Sequence, residues 1–287
     1  MLNLFRAEWK KTIGNRWVAG CMLGIFPVGA AVAFVVILFA AAVAPGFRER
    51  IADQEIPWTD PMLGVWGLSW FELGRLLLAG FTAVLFAGEY QWGTWKNIIP
   101  RNNRIALLLI KYITLGAVVV VTFAVMSVIA LIGIVLLNLI AGAPIQPHLT
   151  GHVLADFIGD YATQIMLAFL STLIVAGYTA LVAMVTRSMV GGVLVGVGAV
   201  LLEVLILPLV LGLVAYFLNL DSIVKVLMYL PFYNLYNINS WLMDGHAYVQ
   251  DGEFSRSLAF SFVMLFTWVF GLIGLTAFIF QRQDITS

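Results

Sequence analysis

The sequence predicts an all-α membrane protein: six transmembrane helices preceded by an amphipathic N-terminal interfacial helix, forming one domain over residues 1–287. Three observations predict it. Of 287 residues, 62% are apolar and only 10% charged, where a typical soluble domain is roughly half apolar and a quarter charged; the mean hydropathy is +1.01. Six stretches reach the roughly 20 apolar residues that cross about 30 Å of hydrocarbon at about 1.5 Å per residue. The charged residues, fifteen basic and fifteen acidic, sort by side of the membrane once those stretches are placed. A net charge of zero also argues against a nucleic-acid binder, which needs a basic surface to displace counterions.

Along the chain, Leu2, Phe5, Trp9 and Ile13 recur at helical spacing while Arg6, Lys10 and Lys11 take the other faces. That pattern describes a helix over 1–16 lying in the headgroup plane; the plainer reading is a basic tail that sets topology. The first span, 17–44, is charge-free and ends in Ala42-Val43-Ala44, which signal peptidase accepts. The run is about twice the length of a signal-peptide core, so it is read as a retained span. The second span, 62–88, carries Glu72 and Arg75, and the third, 105–141, has Lys111 near its start. Spans four to six cover 161–186, 189–218 and 258–280. The short connection at Arg187-Ser188 makes spans four and five antiparallel neighbours.

Basic residues fix the orientation. Arg6, Lys10, Lys11, Arg16, Lys96, Arg101, Arg104, Lys111, Arg187 and Arg282 share one side, while the other has Arg48, Arg50, Lys225 and Arg256 against ten acids. Both termini are therefore expected in the cytoplasm of a cell (plasma) membrane protein. Cys21 is the only cysteine, so no disulfide or Cys-based zinc site is available within the chain.

The loop 89–104 places Trp92, Trp95 and Ile98 or Ile99 on one face of a short helix that Pro100 would stop. Headgroup anchoring and docking of a cytoplasmic partner both explain an aromatic and basic surface helix. The residues here resemble the permease (transmembrane) subunits of ATP-binding-cassette transporters of the type 2 exporter class. That family has an acidic residue at the end of the second span, then Gly-Thr, a Pro, an Arg, and a Lys about two turns into the third span. Glu89, Gly93, Thr94, Pro100, Arg104 and Lys111 stand in that order, with the Gly-Thr to Pro interval slightly shorter than usual. The plan of the chain resembles the family as well, including the external segment 219–257.

The resemblance implies that 1–16 is the elbow helix and 89–104 the coupling loop seated on an ATPase, with Glu89, Trp92, Gly93, Thr94, Trp95, Lys96, Pro100, Arg101 and Arg104 at that contact. The chain has no Gly-Lys dipeptide and so no phosphate-binding P-loop. It is expected to be no enzyme itself and to bind no cofactor; ATP and magnesium would belong to two partner ATP-binding-cassette subunits. A second permease copy, as homodimer or heterodimer, would complete the transporter.

Inside the membrane, Glu72 and Arg75 are three residues apart and Glu203 stands mid-way along the fifth span. Such charges normally pair or face a cavity. Glu72 and Arg75 are read either as an i,i+3 salt bridge or as lining of a substrate path. Glu203 is expected to reach Arg75 or to stay protonated in an inter-subunit cavity, and Pro208 to kink its span. Gly20 with Gly24 and Gly192 with Gly196 permit close helix crossings, within the chain or at a dimer seam. His148, His152 and Asp156 have metal-ligand spacing if helical, but Pro147 and Gly151 argue against a long helix there, and no metal is expected. From Asp221 to Ser240 the mixture of apolar residues and asparagines predicts a short re-entrant or interfacial hairpin broken by Pro231.

The expected function is the translocation path of an ATP-driven exporter for a hydrophobic or amphipathic substrate: a peptide, an antibiotic or other drug, or a lipid. A secondary transporter or channel using Glu72, Arg75 and Glu203 is the alternative, but it predicts inverted repeats and none is visible. An intramembrane enzyme is disfavoured by the absence of His-Glu-x-x-His and Gly-x-Ser-x-Gly.

Overall fold

The computed structural model describes residues 2–16, 20, 24–91, 103–249 and 255–283. Every regular element among them is helical. In chain order these are α1 (Leu2–Gly14), α2 (Phe26–Val43), α3 (Pro45–Gln54), α4 (Thr59–Trp70), α5 (Glu72–Gln91), α6 (Arg104–Ala141), α7 (Gly151–Thr186) and α8 (Met189–Leu201). A π turn (Leu202–Ile206), α9 (Leu207–Leu218), a 3-10 helix (Asp221–Tyr229), α10 (Pro231–Asn239), a second π turn (Ser240–Asp244) and α11 (Leu258–Arg282) complete the chain.

Local chemistry sets the ends of the long helices. Asn103 caps α6 by accepting the Ile105 N–H at 2.8 Å, and Gly142, at φ 72°, ends it in the left-handed conformation that glycine adopts at no steric cost. Thr150 caps α7 and Ser188 caps α8 through their hydroxyls. Gly151 is the first residue of α7, where it costs little behind a capping threonine. The fourth apolar segment therefore starts well before residue 161, and His148 to Asp156 straddles a helix start.

Among the described residues, five helices are long and apolar enough to cross a membrane: α2, α6, α7, the run α8 to α9, and α11. A sixth crossing requires α4 and α5 together, and these are bent by 56°. The uninterrupted second span of 62–88 is thus corrected to two helices broken at Phe71. The cause is local. A Cβ on Gly74 would overlap the Leu68 carbonyl oxygen, and the Phe71 ring lies over Gly67, so the chain folds back on itself at two positions that have no side chain. Ser171 on α7 donates to the Ser69 carbonyl at 3.2 Å, supplying a partner at an interrupted helix end.

The fifth apolar segment is interrupted more gently. Pro208 has no N–H to give to the carbonyl four residues back, and the chain passes through the 202–206 π turn just before it, with Leu207 N–H reaching the Leu202 carbonyl. The expected kink is accommodated by one wide turn carrying Glu203.

Helices α6 and α7 form the centre, with 50% and 61% of their most apolar windows buried, against 17% for α2, the α8 to α9 run and α11. α2, α4 and α1 pack on α6, while α5, α8, α11, α4 and α10 pack on α7. The outward faces of the peripheral helices are apolar: Val28, Val32, Val35 and Phe39 on α2, Leu209 and Phe217 on α9, and Phe270 on α11. A surface so apolar belongs in lipid, and the protein is membrane-embedded. Gly192 and Gly196 meet Ala183, Thr179, Ala79 and Ala83, so this pair serves crossings of α8 with α5 and α7 inside the chain. Among the described residues, no atom lies within 4 Å of the Cβ position of Gly20.

Candidate functional site

Two clusters of buried charge stand at opposite ends of α5. Glu89 ends the first, one turn before the segment 92–102. That segment, with the sequence-derived docking residues Trp92, Gly93, Thr94, Trp95, Lys96, Pro100 and Arg101, lies outside the described residues; Trp17 and Cys21 do as well.

In this cluster Lys111 of α6 points its ammonium at two carboxylates, Glu89 Oε1 at 2.8 Å and Glu8 Oε1 at 2.6 Å, and donates to the Leu85 carbonyl at 3.2 Å. Lys11 of α1 makes an ion pair with the same Glu89 oxygen. Glu89 and Lys111 are almost fully buried, at 1% and 3% exposure. Both stems of the 92–102 segment are thus bound to each other and to α1 through alternating charges. Burial pushes the Glu8 carboxyl up, but the ammonium groups of Lys111 and Lys11 outweigh it and hold Glu8 below its ordinary value. Hydropathy and spacing do not single out Glu8 as a site residue; its one signal in the sequence is its position as the single acid in a basic tail.

Arg104 opens α6 and is occupied by α11. Its guanidinium donates to the carbonyls of Phe280, Gln281 and Gln283 at 2.8 to 3.0 Å, the unsatisfied end of that helix where a cation is favoured.

The second cluster lies where the breaks in α4 to α5 and α8 to α9 meet α10. Arg75 grips Glu203 with both arms, Nη1 to Oε1 at 3.3 Å and Nη2 to Oε2 at 2.8 Å. Glu203 also accepts the Phe232 N–H at the start of α10. With three donors directed at it, Glu203 takes the paired alternative of the two read from the sequence. An ion pair between Glu72 and Arg75 is absent; Glu72 instead accepts the Tyr236 hydroxyl at 3.3 Å. The reason is the break: Glu72 is the first residue of α5, directly after the turn at Phe71, and faces α10.

Around Tyr236 the rings of Trp70, Phe71 and Phe232 gather with centroids 4.6 to 5.5 Å apart from it. Trp70 Nε1 donates to Gln164, whose amide donates to Asn239. α10 is accordingly buried, through Tyr233, Asn234, Leu235, Asn237 and Ile238, and Asn234 and Asn237 spend their amides on the carbonyls of Met228, Leu230 and Arg256 and on Ser261. Leu230 separates the 3-10 helix from α10, and Pro231 opens α10 as its first residue, so the break falls at the proline as the sequence suggests. The sequence does not single out Tyr236, Gln164 and Asn239, because their roles depend on the external segment folding back against α4 and α7; the excess of asparagine over 234–239 is the one signal it carries of them.

On the far loop, His152 Nδ1 lies 2.7 Å from Asp156, and no group of three metal-ligating side chains occurs among the described residues.

The arrangement supplies two rigid polar joints at the ends of one helix, 14 residues apart between Arg75 and Glu89. The chain matches no protein-family model and no curated protein.

Proposed function

We propose that the chain is the membrane-spanning permease of an ATP-driven exporter, carrying a hydrophobic or amphipathic substrate and worked by separate ATP-binding-cassette subunits. The observation that carries this reading is the Glu8–Lys11–Glu89–Lys111 cluster around the buried Glu89 and Lys111. It binds α1 to both stems of the Trp- and Arg-bearing segment, so a push on that segment moves α5 and α6 rather than bending a loop. In this reading α1 is the elbow helix, the bent pair α4 and α5 is one of six spans, both termini are cytoplasmic, and α10 closes the outer end as a re-entrant element. Two permeases and two ATPase subunits form the working transporter in the cell membrane.

Trp92, Trp95, Lys96 and Arg101 are the residues assigned to the ATPase contact, with Glu89 and Arg104 holding its stems. Arg75, Glu203 and Glu72 border the path at mid-membrane. The test is to purify the protein together with the products of its neighbouring genes. A nucleotide-binding subunit is expected to accompany it, and Trp92→Ala with Trp95→Ala is expected to abolish that association. Recovery without such a subunit, together with unchanged activity of the double variant, overturns the reading in favour of a secondary transporter or channel.

A further inference from the structure

Beside the charge cluster, α1 and α6 enclose a groove of about 240 Å³ lined by Phe5, Arg6, Trp9, Lys10 and Ala117. Its floor is apolar. The Phe5 and Trp9 rings lie with centroids 5.9 Å apart, and Leu4 and Trp9 pack on the main core. Its rim is cationic, and Arg6 and Lys10, four residues apart on one helix, are exposed and make no ion pair or hydrogen bond among the described residues.

α1 turns an unusual face to the protein. The residues it buries most deeply include Thr12 and the ion-paired Glu8, while Leu2 and Ile13 remain 62% and 36% exposed. Its acid is consumed inward, and what remains outside is a pair of cations over apolar and aromatic surface. The depth is also informative. α6 has 38 residues, about 57 Å at about 1.5 Å per residue, nearly twice the roughly 30 Å of a bilayer core. Lys111 and the charges around it belong outside the hydrocarbon, and Ala117, less than two turns further, stands near its edge.

We propose that this groove is a binding site for an anionic phospholipid of the adjoining leaflet. Arg6 and Lys10 take the phosphate, and the first part of an acyl chain lies along Phe5, Trp9 and Ala117. An apolar floor under unpaired cations matches both halves of such a lipid and neither a neutral lipid nor a soluble anion. The lipid would clamp α1 from outside as Glu8 and Lys111 clamp it from within. The site holds whether or not the protein is an exporter.

The test is native mass spectrometry of the full-length protein in neutral detergent, titrated with phosphatidylglycerol, phosphatidylcholine and soluble glycerol phosphate. Phosphatidylglycerol is expected to be retained preferentially. Each basic residue near an anionic surface is worth about fivefold, so Arg6→Gln with Lys10→Gln should lower its retention roughly twenty-five-fold. Phe5→Ala should lower it as well with both cations present, and Arg6→Lys with Lys10→Arg should keep it. Arg282→Gln, removing a cation of α11, should leave it unchanged. Equal retention of both lipids, equal loss in Arg282→Gln, or full displacement by glycerol phosphate would overturn the proposal. Because Arg6 and Lys10 make no ion pair or hydrogen bond among the described residues, a folded double variant is expected, checked by an unchanged thermal transition in phosphatidylcholine nanodiscs.

Discussion

Glu203 is the residue with the most to lose from isolation. A lone charge at the centre of a span costs roughly 2.5 to 3.5 kcal/mol on insertion scales, and Arg75 faces the same problem with no exposed surface at all. Each solves the other's, with the Phe232 N–H completing the set around the carboxylate. Removing one member of a buried pair leaves an uncompensated charge and costs about 3 to 5 kcal/mol, whereas replacing both with apolar residues of similar volume is far milder. Glu203→Gln and Arg75→Gln are therefore each expected to lower the unfolding free energy by about 3 kcal/mol or more, and Arg75→Met with Glu203→Leu to recover most of it. Thermal unfolding of the detergent-solubilised variants measures the cycle; two harmless single variants would show the pair to be dispensable. The partnership was legible in the sequence because Glu203 had no ion partner on its own helix. The fate of Glu72 was not: spacing offered it Arg75, and only the break at Phe71, which a periodicity reading does not register, turns it to Tyr236.

At the scale of elements, the long uniform helices could be read from hydropathy and caps, and α6 begins and ends within a residue of its expected limits. The breaks at Pro208 and Pro231 were legible too, and the α4 to α5 break was not. The α4 to α5 break has no proline; its marks are Gly67 and Gly74 flanking Trp70 and Phe71, and glycines are too common in membrane helices to be diagnostic. α1 shows the same limit. Its apolar stripe was legible, and Trp9 of that stripe packs on the core, but its ion pairs reach Glu89 of α5 and Lys111 of α6, about 80 and 100 residues away. The docking carries a pH dependence of definite sign. Glu8 is held below its ordinary value in the folded protein, so its contribution is complete above the ordinary carboxylate range and is lost as pH falls through the lowered value. α1 is expected to become accessible to proteolysis as the pH falls below the ordinary carboxylate range, and Glu8→Gln to make it so already at neutral pH. Protection of α1 that is independent of both would remove the ion pair from its anchoring.

Across the whole molecule, the two charge clusters are joined by a single uninterrupted helix. Arg75 and Glu89 sit on α5 about 21 Å apart along the axis and within about 40° of one face. One is bolted to the π turn and α10, the other to α1 and α6. If a partner works on the segment beyond Glu89, α5 is the stiff member that carries the displacement to the mid-membrane joint. Stability and transport then separate. Sites this far apart with no shared partner add in stability within about 0.5 kcal/mol, so Glu89→Gln combined with Glu203→Gln should destabilise by the sum of the two. In the proposed exporter the second lesion has nothing left to interrupt in transport, and the double variant should be no slower than the worse single one, while ATP hydrolysis by the proposed partner subunits continues. Reconstituted transport and ATPase rates on the four proteins decide it: rate losses that multiply mean that the two joints act independently and that α5 is not the connection between them.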